Sequence, residues 1–347
     1  MRERDRFRGC LIGGAAGDAL GYTVEFMGEN MIFSRYGEKG ITEYRLTDGV
    51  AEISDDTQMT LFTASGILTA LAEGRTDFAK HINDAYLDWL RTQRDVYPLP
   101  EGKNVSPLLT VPELFSRRAP GNTCMAALED GGMGTPEEQI NNSKGCGGVM
   151  RAAPAGLISV GARDCARLGA EAAALTHGHI LGFIPAAVLA QTVHELIFDD
   201  TDVRTAVGRA MDTVEEMWPE TPARIYFKEL MNKAIALAEE DIPDLDAIHQ
   251  LGGGWVGEEA LAIAVFCAVR HENNFDAAMI AAVNHRGDSD STGAVAGNIL
   301  GARLGLKGIP EKYTEHLELK ELILEIADDL HAAGACDADP AWKQKYL

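Results

Sequence analysis

Apolar and small residues recur at helical spacing along most of this chain, which predicts an all-α protein. Near the N-terminus the repeat includes Phe7, Cys10, Leu11 and Gly14, and runs of β-branched residues are scarce throughout. The pattern predicts helices at 4–21, 54–74, 77–91, 149–159, 162–176, 180–198, 202–217, 223–240, 257–271, 275–285, 291–304 and 318–333. No linker or fixed-period repeat interrupts them, so residues 1–347 are expected to form a single domain.

Several segments lack this periodicity. Residues 95–122 contain five of the thirteen prolines, and residues 131–148 are rich in glycine. Residues 22–30 and 40–53 are also expected to be loops or extended chain. Long irregular segments inside a compact domain are often functional, so 95–122 and 131–148 are candidates for choosing the substrate.

Charge and cysteine usage restrict the partners and the location. A formal net charge of −22 argues against a nucleic-acid backbone or an anionic membrane as a partner. The six cysteines form no C-x-x-C pair, so free thiols and a cytoplasmic location are expected. The charged N-terminus does not resemble a signal peptide, and no apolar run is expected to reach the roughly 18 residues of a membrane span.

Two acidic clusters each stand at the start of an apolar helix. Ser54 is a candidate N-cap followed by Asp55 and Asp56, and the second cluster contains Asp288 and Asp290. Burying paired carboxylates is costly unless a cation compensates their charge. These residues offer only oxygen ligands, which suit Mg²⁺, Mn²⁺ or Ca²⁺, so we interpret the clusters as two halves of one metal site.

Three other structural roles are compatible with carboxylates in this pattern. The acidic residues could serve only to cap helices, and this alternative stays open. An EF-hand loop begins in the same way as residues 288–293, but its twelfth position requires Glu and here is Ile299, which excludes it. Haloacid-dehalogenase-type phosphatases place a D-x-D-x-T motif after an apolar strand. Residues 284–287 are Asn-His-Arg-Gly, and no alternation of strands and helices surrounds them, so this interpretation is disfavoured.

An ordered set of motifs runs nearly from end to end of the chain. It comprises 9–21 (GCLIGGAAGDALG), Glu25, 54–59 (SDDTQM), 141–154 (NNSKGCGGVMRAAP), 176–177 (TH) and 287–293 (GDSDSTG). In this set and order the chain resembles the ADP-ribosylglycohydrolase family, which includes dinitrogenase-reductase-activating glycohydrolase and the ADP-ribosylarginine hydrolases. The resemblance implies an all-α fold, a compact orthogonal helical bundle with a binuclear metal centre in a central cleft.

The resemblance also implies which residues form the site. Two Mg²⁺ (or Mn²⁺) ions would be the cofactors, and Glu25, Asp55, Asp56 and Asp290 would share the catalytic role. The implied metal ligands are Ser54, Asp55, Asp56, Asp288, Asp290 and Ser291. The implied substrate-binding residues are Asn122, Ser143, Gly145, Gly147, Gly148, Met150, Arg151 and His177. For Arg151 and His177 the alternative is a structural role, in an ion pair or in a turn.

Two positions depart from the family pattern. Some members carry Asn where this chain has Cys146, and an aromatic residue where it has Lys144. Trp255 and the remaining histidines are assigned to the core or the surface.

The implied function is hydrolysis of the bond between ADP-ribose and a modified protein side chain, with water activated at the binuclear centre. The residues at 288–293 and at 120–123 resemble those of the arginine-directed branch of the family, which favours an N-glycosidic bond to arginine. The expected partners are an ADP-ribosylated protein, the ADP-ribose product and, as a further option, a toxin. The alternatives are a reader or immunity-type protein that binds ADP-ribose or a toxin, and a hydrolase of serine-linked or O-acetyl ADP-ribose.

Overall fold

The computed structural model describes residues 2–100, 106–335 and 340–347, with the side chain of Arg2 excepted. Within these ranges the regular secondary structure is helical, and strand pairing is limited to isolated bridges such as that between Thr47 and Val50. The prediction of an all-α fold is confirmed.

The helices follow the predicted pattern over most of the chain. In the described residues they are α1 (Arg2–Tyr22), α2 (Glu29–Tyr36), α3 (Asp55–Ala72), α4 (Phe78–Arg94), α5 (Asn122–Glu129), α6 (Ala162–Ala174), α7 (Ile180–Phe198), α8 (Val203–Met217), α9 (Pro222–Leu237), α10 (Asp244–Ile248), α11 (Gly257–Arg270), α12 (Phe275–Val283), α13 (Ser289–Leu304) and α14 (Lys320–Gly334). Short 3₁₀ helices connect several of them.

The helix predicted at 149–159 is wrong. The chain there forms two short 3₁₀ helices, Cys146–Gly148 and Ala153–Gly156, joined by a turn. Pro154 lacks an amide hydrogen and disfavours helical geometry in the residue before it. The apolar spacing of this segment therefore reflects complete burial rather than an α-helix.

Three short helices were missed. Helices α2, α5 and α10 have only 8, 8 and 5 residues, too few to show a periodic pattern. Helix α5 begins at Asn122, at the end of the proline-rich segment that was expected to be irregular.

Helix α7 runs through the core of the fold. It has 19 residues with a mean hydropathy of 1.6, so by length and composition it could cross a membrane. The expectation that no segment reaches this length is therefore wrong. In the fold 94% of its apolar window is buried, and it packs against α6, α8, α11 and α13, as a core helix does.

The closest helix pair is α1 with α13. The two helices run antiparallel, and glycines at four-residue intervals on one meet glycines on the other. A methyl group added at Gly17 would lie 1.9 Å from the carbonyl oxygen of Gly293, and one added at Gly297 would lie 1.9 Å from that of Gly13. The backbones are thus in direct contact, which brings the end of α1 beside the first turn of α13.

Replacing Gly297 with Ala is expected to destabilise the protein. Alanine is favoured over glycine in a helix, but here its methyl group would overlap the backbone of α1. Overpacking of this kind costs about 1–3 kcal/mol, and the backbone clash places Gly297→Ala at the upper end. Urea unfolding monitored by circular dichroism measures the free energy of unfolding.

The control is Gly208→Ala in α8, where no atom lies within 4 Å of the added methyl group. This change should be neutral or stabilise by about 0.5–1 kcal/mol. Equal effects of the two substitutions would contradict a packing role for Gly297.

Candidate metal centre and cavity

Two helix N-termini point into one cavity. Helix α3 is capped by Ser54, whose hydroxyl accepts from the amide of Asp56 at 3.1 Å, and α13 is capped by Asp288, which accepts from the amide of Ser291 at 3.3 Å. The cavity has a volume of about 470 Å³. It is lined by Glu25, Phe26, Asp55, Asp56, Ala119, Pro120, Gly121, Asn122, Thr123, Cys124, Gly145, Cys146, Gly147, Met150, His177, Trp255, Asp288, Asp290 and Ser291.

Five carboxylates lie at the floor of this cavity. Glu25, Asp288 and Asp290 are buried, and one oxygen of each lies within 4.8 Å of the other two. Asp55 and Asp56 line the same space from the first turn of α3. The two acidic clusters of the sequence therefore meet in space, together with Glu25 from the end of α1.

Burial and mutual repulsion dominate the electrostatics here. Burial first, and then the charge of Asp290, raise the pKa of Glu25 to about 10 and raise the pKa values of Asp55, Asp56 and Asp288 well above the usual range. Such a group of acids is stable when ionised only if a cation lies among them.

Two oxygen atoms at the floor lack any hydrogen-bond partner in the described part of the chain. They are Oδ2 of Asp56 and Oε2 of Glu25, and both are buried. Unpaired buried carboxylate oxygens converging from separate helices are a donor set that suits a hard divalent cation. The residues present therefore fit a Mg²⁺ or Mn²⁺ site.

Asp18 supports the floor from behind and was missed as a site residue. Its carboxylate accepts from the amides of Ser54 at 3.0 Å and Thr57 at 3.1 Å, and from the hydroxyl of Thr57. Complete burial and the charge of Asp290 raise the pKa of Asp18 to about 7. Because α1 fixes the start of α3 in this way, the two acidic segments keep their relative position. The available signal was an acidic residue within the buried glycine face of α1.

The two predicted serine ligands differ in position. Ser291 lines the cavity, and its hydroxyl is directed toward the sulfur of Met150 at 3.9 Å. Ser54 is fully buried behind the floor and does not line the cavity. Its hydroxyl caps α3, so its role as a metal ligand stays a prediction.

Cys146 places a thiol next to the carboxylates. Its Sγ donates to Oδ2 of Asp288 at 2.8 Å, and burial raises the pKa of the thiol well above its usual value. Cys146 was noted only as a departure from the family pattern and not as a site residue. Like the other described cysteines, Cys10, Cys124, Cys165 and Cys267, it is a free thiol; Cys336 lies outside the described residues.

The glycine-rich wall of the cavity contains only part of the predicted substrate-binding set. Gly145, Gly147, Met150 and Asn122 line the cavity. Gly148 instead packs on α7, because an added methyl group would lie 2.4 Å from the carbonyl oxygen of Gly182.

Ser143 and Arg151 do not line the cavity. Ser143 faces a neighbouring cavity of about 450 Å³, and its hydroxyl bonds to that of Thr123 at 3.0 Å. Arg151 is fully buried behind the wall, where its guanidinium lies over the ring of Tyr86 at 4.3 Å. Arg151 therefore has a structural position behind the wall rather than a place on the cavity surface, and no acidic residue in the described part of the chain pairs with it. His177 does line the cavity, as predicted.

Comparison with known proteins agrees with this geometry. The family model described as ADP-ribosylglycohydrolase matches residues 1–339. The chain belongs to the ADP-ribosylglycohydrolase family. Its fold also matches a solved structure titled ADP-ribosylglycohydrolase-related protein complex, with a TM-score of 0.61, 26% identity and coverage of 96% of this chain and 99% of that one.

Several relatives carry names that state an activity. ADP-ribosyl-[dinitrogen reductase] glycohydrolase of Rhodospirillum rubrum is 27% identical, with 91% of each chain covered. ADP-ribosylhydrolase ARH3 of Mus musculus is 24% identical, with 95% of this chain and 92% of that one covered. ADP-ribosylarginine hydrolase Tri1 of Pseudomonas putida is 27% identical, with 94% of this chain and 78% of that one covered. Family and relatives support hydrolysis of ADP-ribose from modified substrates.

An aromatic pair forms the mouth of the cavity. Phe26 and Trp255 are stacked, with ring centroids 6.1 Å apart and an interplanar angle of 24°. They are 74% and 46% exposed, which is unusual for large aromatic residues. The sequence pattern predicts a core or surface position for Trp255 and indicates no role for Phe26. The position of Phe26 next to Glu25 was the only signal in the sequence.

Binding of Mg²⁺ or Mn²⁺ among these acids is expected to release protons at pH 7. Because the pKa of Glu25 is raised to about 10, that carboxyl is protonated without a cation, and the cation favours its ionised form. Affinity for the ion should therefore rise with pH. Titration calorimetry in two buffers of different ionisation enthalpy measures the number of protons released.

The comparison variant is Glu25→Gln, because glutamine has no proton to lose at this position. Metal binding to this variant should release about one proton fewer than metal binding to the wild type. Heats that do not depend on the buffer in the wild type would show that the acids are already ionised.

Proposed function

We propose that this chain is a metal-dependent hydrolase that cleaves the N-glycosidic bond between ADP-ribose and arginine, using two Mg²⁺ or Mn²⁺ ions. The observation that carries the proposal is the convergence of Glu25, Asp55, Asp56, Asp288 and Asp290 at the floor of one cavity in a chain of this family. The cytoplasmic location and a toxin partner stay predictions.

The charge of the floor supports two ions. The four aspartates would carry four negative charges when ionised, which two divalent cations neutralise. Asp55, Asp56, Asp288 and Asp290 would hold the ions, with Ser54 and Ser291 as the remaining oxygen donors. When bound, the ions supply Lewis acidity and orientation for the ribose hydroxyls and the attacking water.

Glu25 and Asp55 have different roles in the proposed reaction. Glu25 has an unpaired buried oxygen facing the floor, which suits it to take a proton from the attacking water. Asp55 is held in place by the amide of Gly121, which donates to its Oδ2 at 3.2 Å. Fixing this carboxylate limits its motion during bond cleavage.

The diphosphate requires hydrogen-bond donors, because no lysine or arginine is among the described residues that line the cavity. The glycine-rich wall at Gly145 and Gly147 allows the backbone of the chain to approach a phosphate closely. His177 lies against both glycines, since an added methyl group on either would be within 3.3 Å of its Nε2. These groups can receive an anion that the surface as a whole repels.

The mouth of the cavity supports an arginine acceptor. Phe26 and Trp255 offer exposed aromatic faces, on which a guanidinium group stacks favourably. A relative named for hydrolysis of ADP-ribosylarginine adds support. Similarity to the ARH3 proteins is of the same order, so hydrolysis of a different linkage, serine-linked or O-acetyl ADP-ribose, is the second candidate.

Turnover should be measured on arginine-linked, serine-linked and O-acetyl ADP-ribose with Mg²⁺ or Mn²⁺ present. Arginine-linked ADP-ribose is expected to be the best substrate, and chelation of the metal should abolish its hydrolysis. Asp55→Asn and Asp290→Asn should lose nearly all activity, because each removes a charge that holds a cation. Asp212→Asn, which alters an exposed carboxylate, is the matched control. Preference for another linkage would overturn the arginine assignment, and undiminished activity in Asp55→Asn would overturn the metal assignment.

Trp255→Ala is expected to raise KM for the ADP-ribosylated arginine substrate. Loss of a cation–π contact of about 1 kcal/mol corresponds to a roughly fivefold increase in KM. Trp255→Phe should retain most of the wild-type KM, and binding of free ADP-ribose should not change in either variant. A weaker affinity of Trp255→Ala for free ADP-ribose would instead place the aromatic pair against the nucleotide.

A further inference from the structure

Among the residues that the structure describes, Arg151 is a buried cation without an acidic partner. Its guanidinium is fully buried, and its described contacts are Tyr86, the sulfur atoms of Met59 and Cys124, the carbonyl oxygen of Ala172 and the hydroxyl of Thr176. Burying an arginine charge among neutral groups is costly, so packing alone does not explain the position of Arg151. Cys124 belongs to the cavity wall, which places the cation one layer behind it.

A short chain of hydrogen bonds leads from Arg151 to the cavity. Nη2 of Arg151 donates to Oγ1 of Thr176 at 2.6 Å, and that oxygen lies 2.8 Å from Nδ1 of His177. Arginine is always a donor, so the threonine oxygen must accept from it. The other edge of the imidazole ring, at Nε2, lies against Gly145 and Gly147.

The direction of the second hydrogen bond follows from the first. The Thr176 oxygen already accepts from a cation, and a second N–H directed at it would be repelled by the same charge. The threonine hydroxyl therefore donates, and the stronger acceptor within reach is the imidazole nitrogen rather than the thiol of Cys124. Nδ1 of His177 is then an acceptor without a proton, which leaves the proton on Nε2.

We propose that Arg151 is a positioning residue that acts through Thr176 to fix the tautomer of His177, so that Nε2–H is presented to the cavity as a hydrogen-bond donor. The ligand it serves is an oxygen acceptor, a phosphate or hydroxyl group of the bound nucleotide. That identification rests on the proposed function, whereas the tautomer itself does not.

The surroundings of His177 keep its ring neutral, so its Nε2–H stays a neutral hydrogen-bond donor. Burial and the nearby charge of Arg151 lower the pKa of His177 to about 3, so the ring is neutral at physiological pH. The cavity thus has an acid-rich floor and, on another wall, a neutral donor backed by a buried cation. An anionic ligand would be oriented by this difference.

Nitrogen-15 NMR of histidine-labelled protein without ligand tests the tautomer directly. The His177 signals can be assigned by their absence in His177→Asn. In the wild type, Nε2 should resonate as the protonated nitrogen and Nδ1 as the bare one. Thr176→Val removes the hydroxyl at nearly constant volume and should shift the population toward the other tautomer, whereas Thr176→Ser should restore the wild-type spectrum. A proton on Nδ1 in the wild type, or an unchanged tautomer in Thr176→Val, would overturn the proposal.

Affinity for ADP-ribose tests whether Nε2–H of His177 donates a hydrogen bond to the ligand. Thr176→Val should weaken binding about tenfold, the effect of losing one hydrogen bond of ordinary strength. Thr69→Val is the matched control, since Thr69 is a buried threonine whose hydroxyl has no partner among the described residues. A shifted tautomer with unchanged affinity would overturn the donor role. Failure of the wild type to bind ADP-ribose, with the tautomer as expected, would count against the proposed function alone.

Discussion

Backbone contact between α1 and α13 is the constraint on which the site depends. Glycines on both helices remove the side chains that would hold them apart, and the carbonyl oxygens of one helix touch the other. This contact sets the distance between Glu25, at the end of α1, and Asp290, in the first turn of α13. Asp18 on the same face of α1 then fixes the start of α3. One helix therefore organises both acidic segments.

The cavity combines two opposite electrostatic environments within one small volume. At its floor, buried carboxylates repel one another and have raised pKa values. Behind another wall, Arg151 is a buried cation that is linked to the cavity through neutral groups, directly by Cys124 and through Thr176 by His177. An ADP-ribose unit has a comparable division, because its ribose hydroxyls can bind cations and its diphosphate needs donors. The arrangement explains how a chain with a net charge of −22 can accommodate such a ligand.

The fold class was predictable because long helices repeat their apolar pattern over several turns, as in α3 and α7. The short helices α2, α5 and α10 show too few turns, and Pro154 broke a segment whose apolar spacing reflects burial alone. The acids of the site could be found because buried carboxylate pairs are chemically conspicuous. Exposed aromatics such as Phe26 and Trp255 are not, and the contact between them joins distant parts of the chain. The position of Arg151 behind the wall depends on tertiary packing that its local sequence does not encode.

The pairing of α1 with α13 also has a consequence for how the protein is made. Helix α1 ends at Tyr22 and α13 begins at Ser289, so a ribosome must synthesise the whole segment between them before they can meet. Until then the glycine face of α1 has no partner, and Asp55 and Asp56 remain hydrated and separate from Asp288 and Asp290. Contacts between distant segments form late in folding because closing a long loop is entropically costly. The acidic centre is thus a late product of biosynthesis, and a nascent chain cannot assemble it before α13 has emerged.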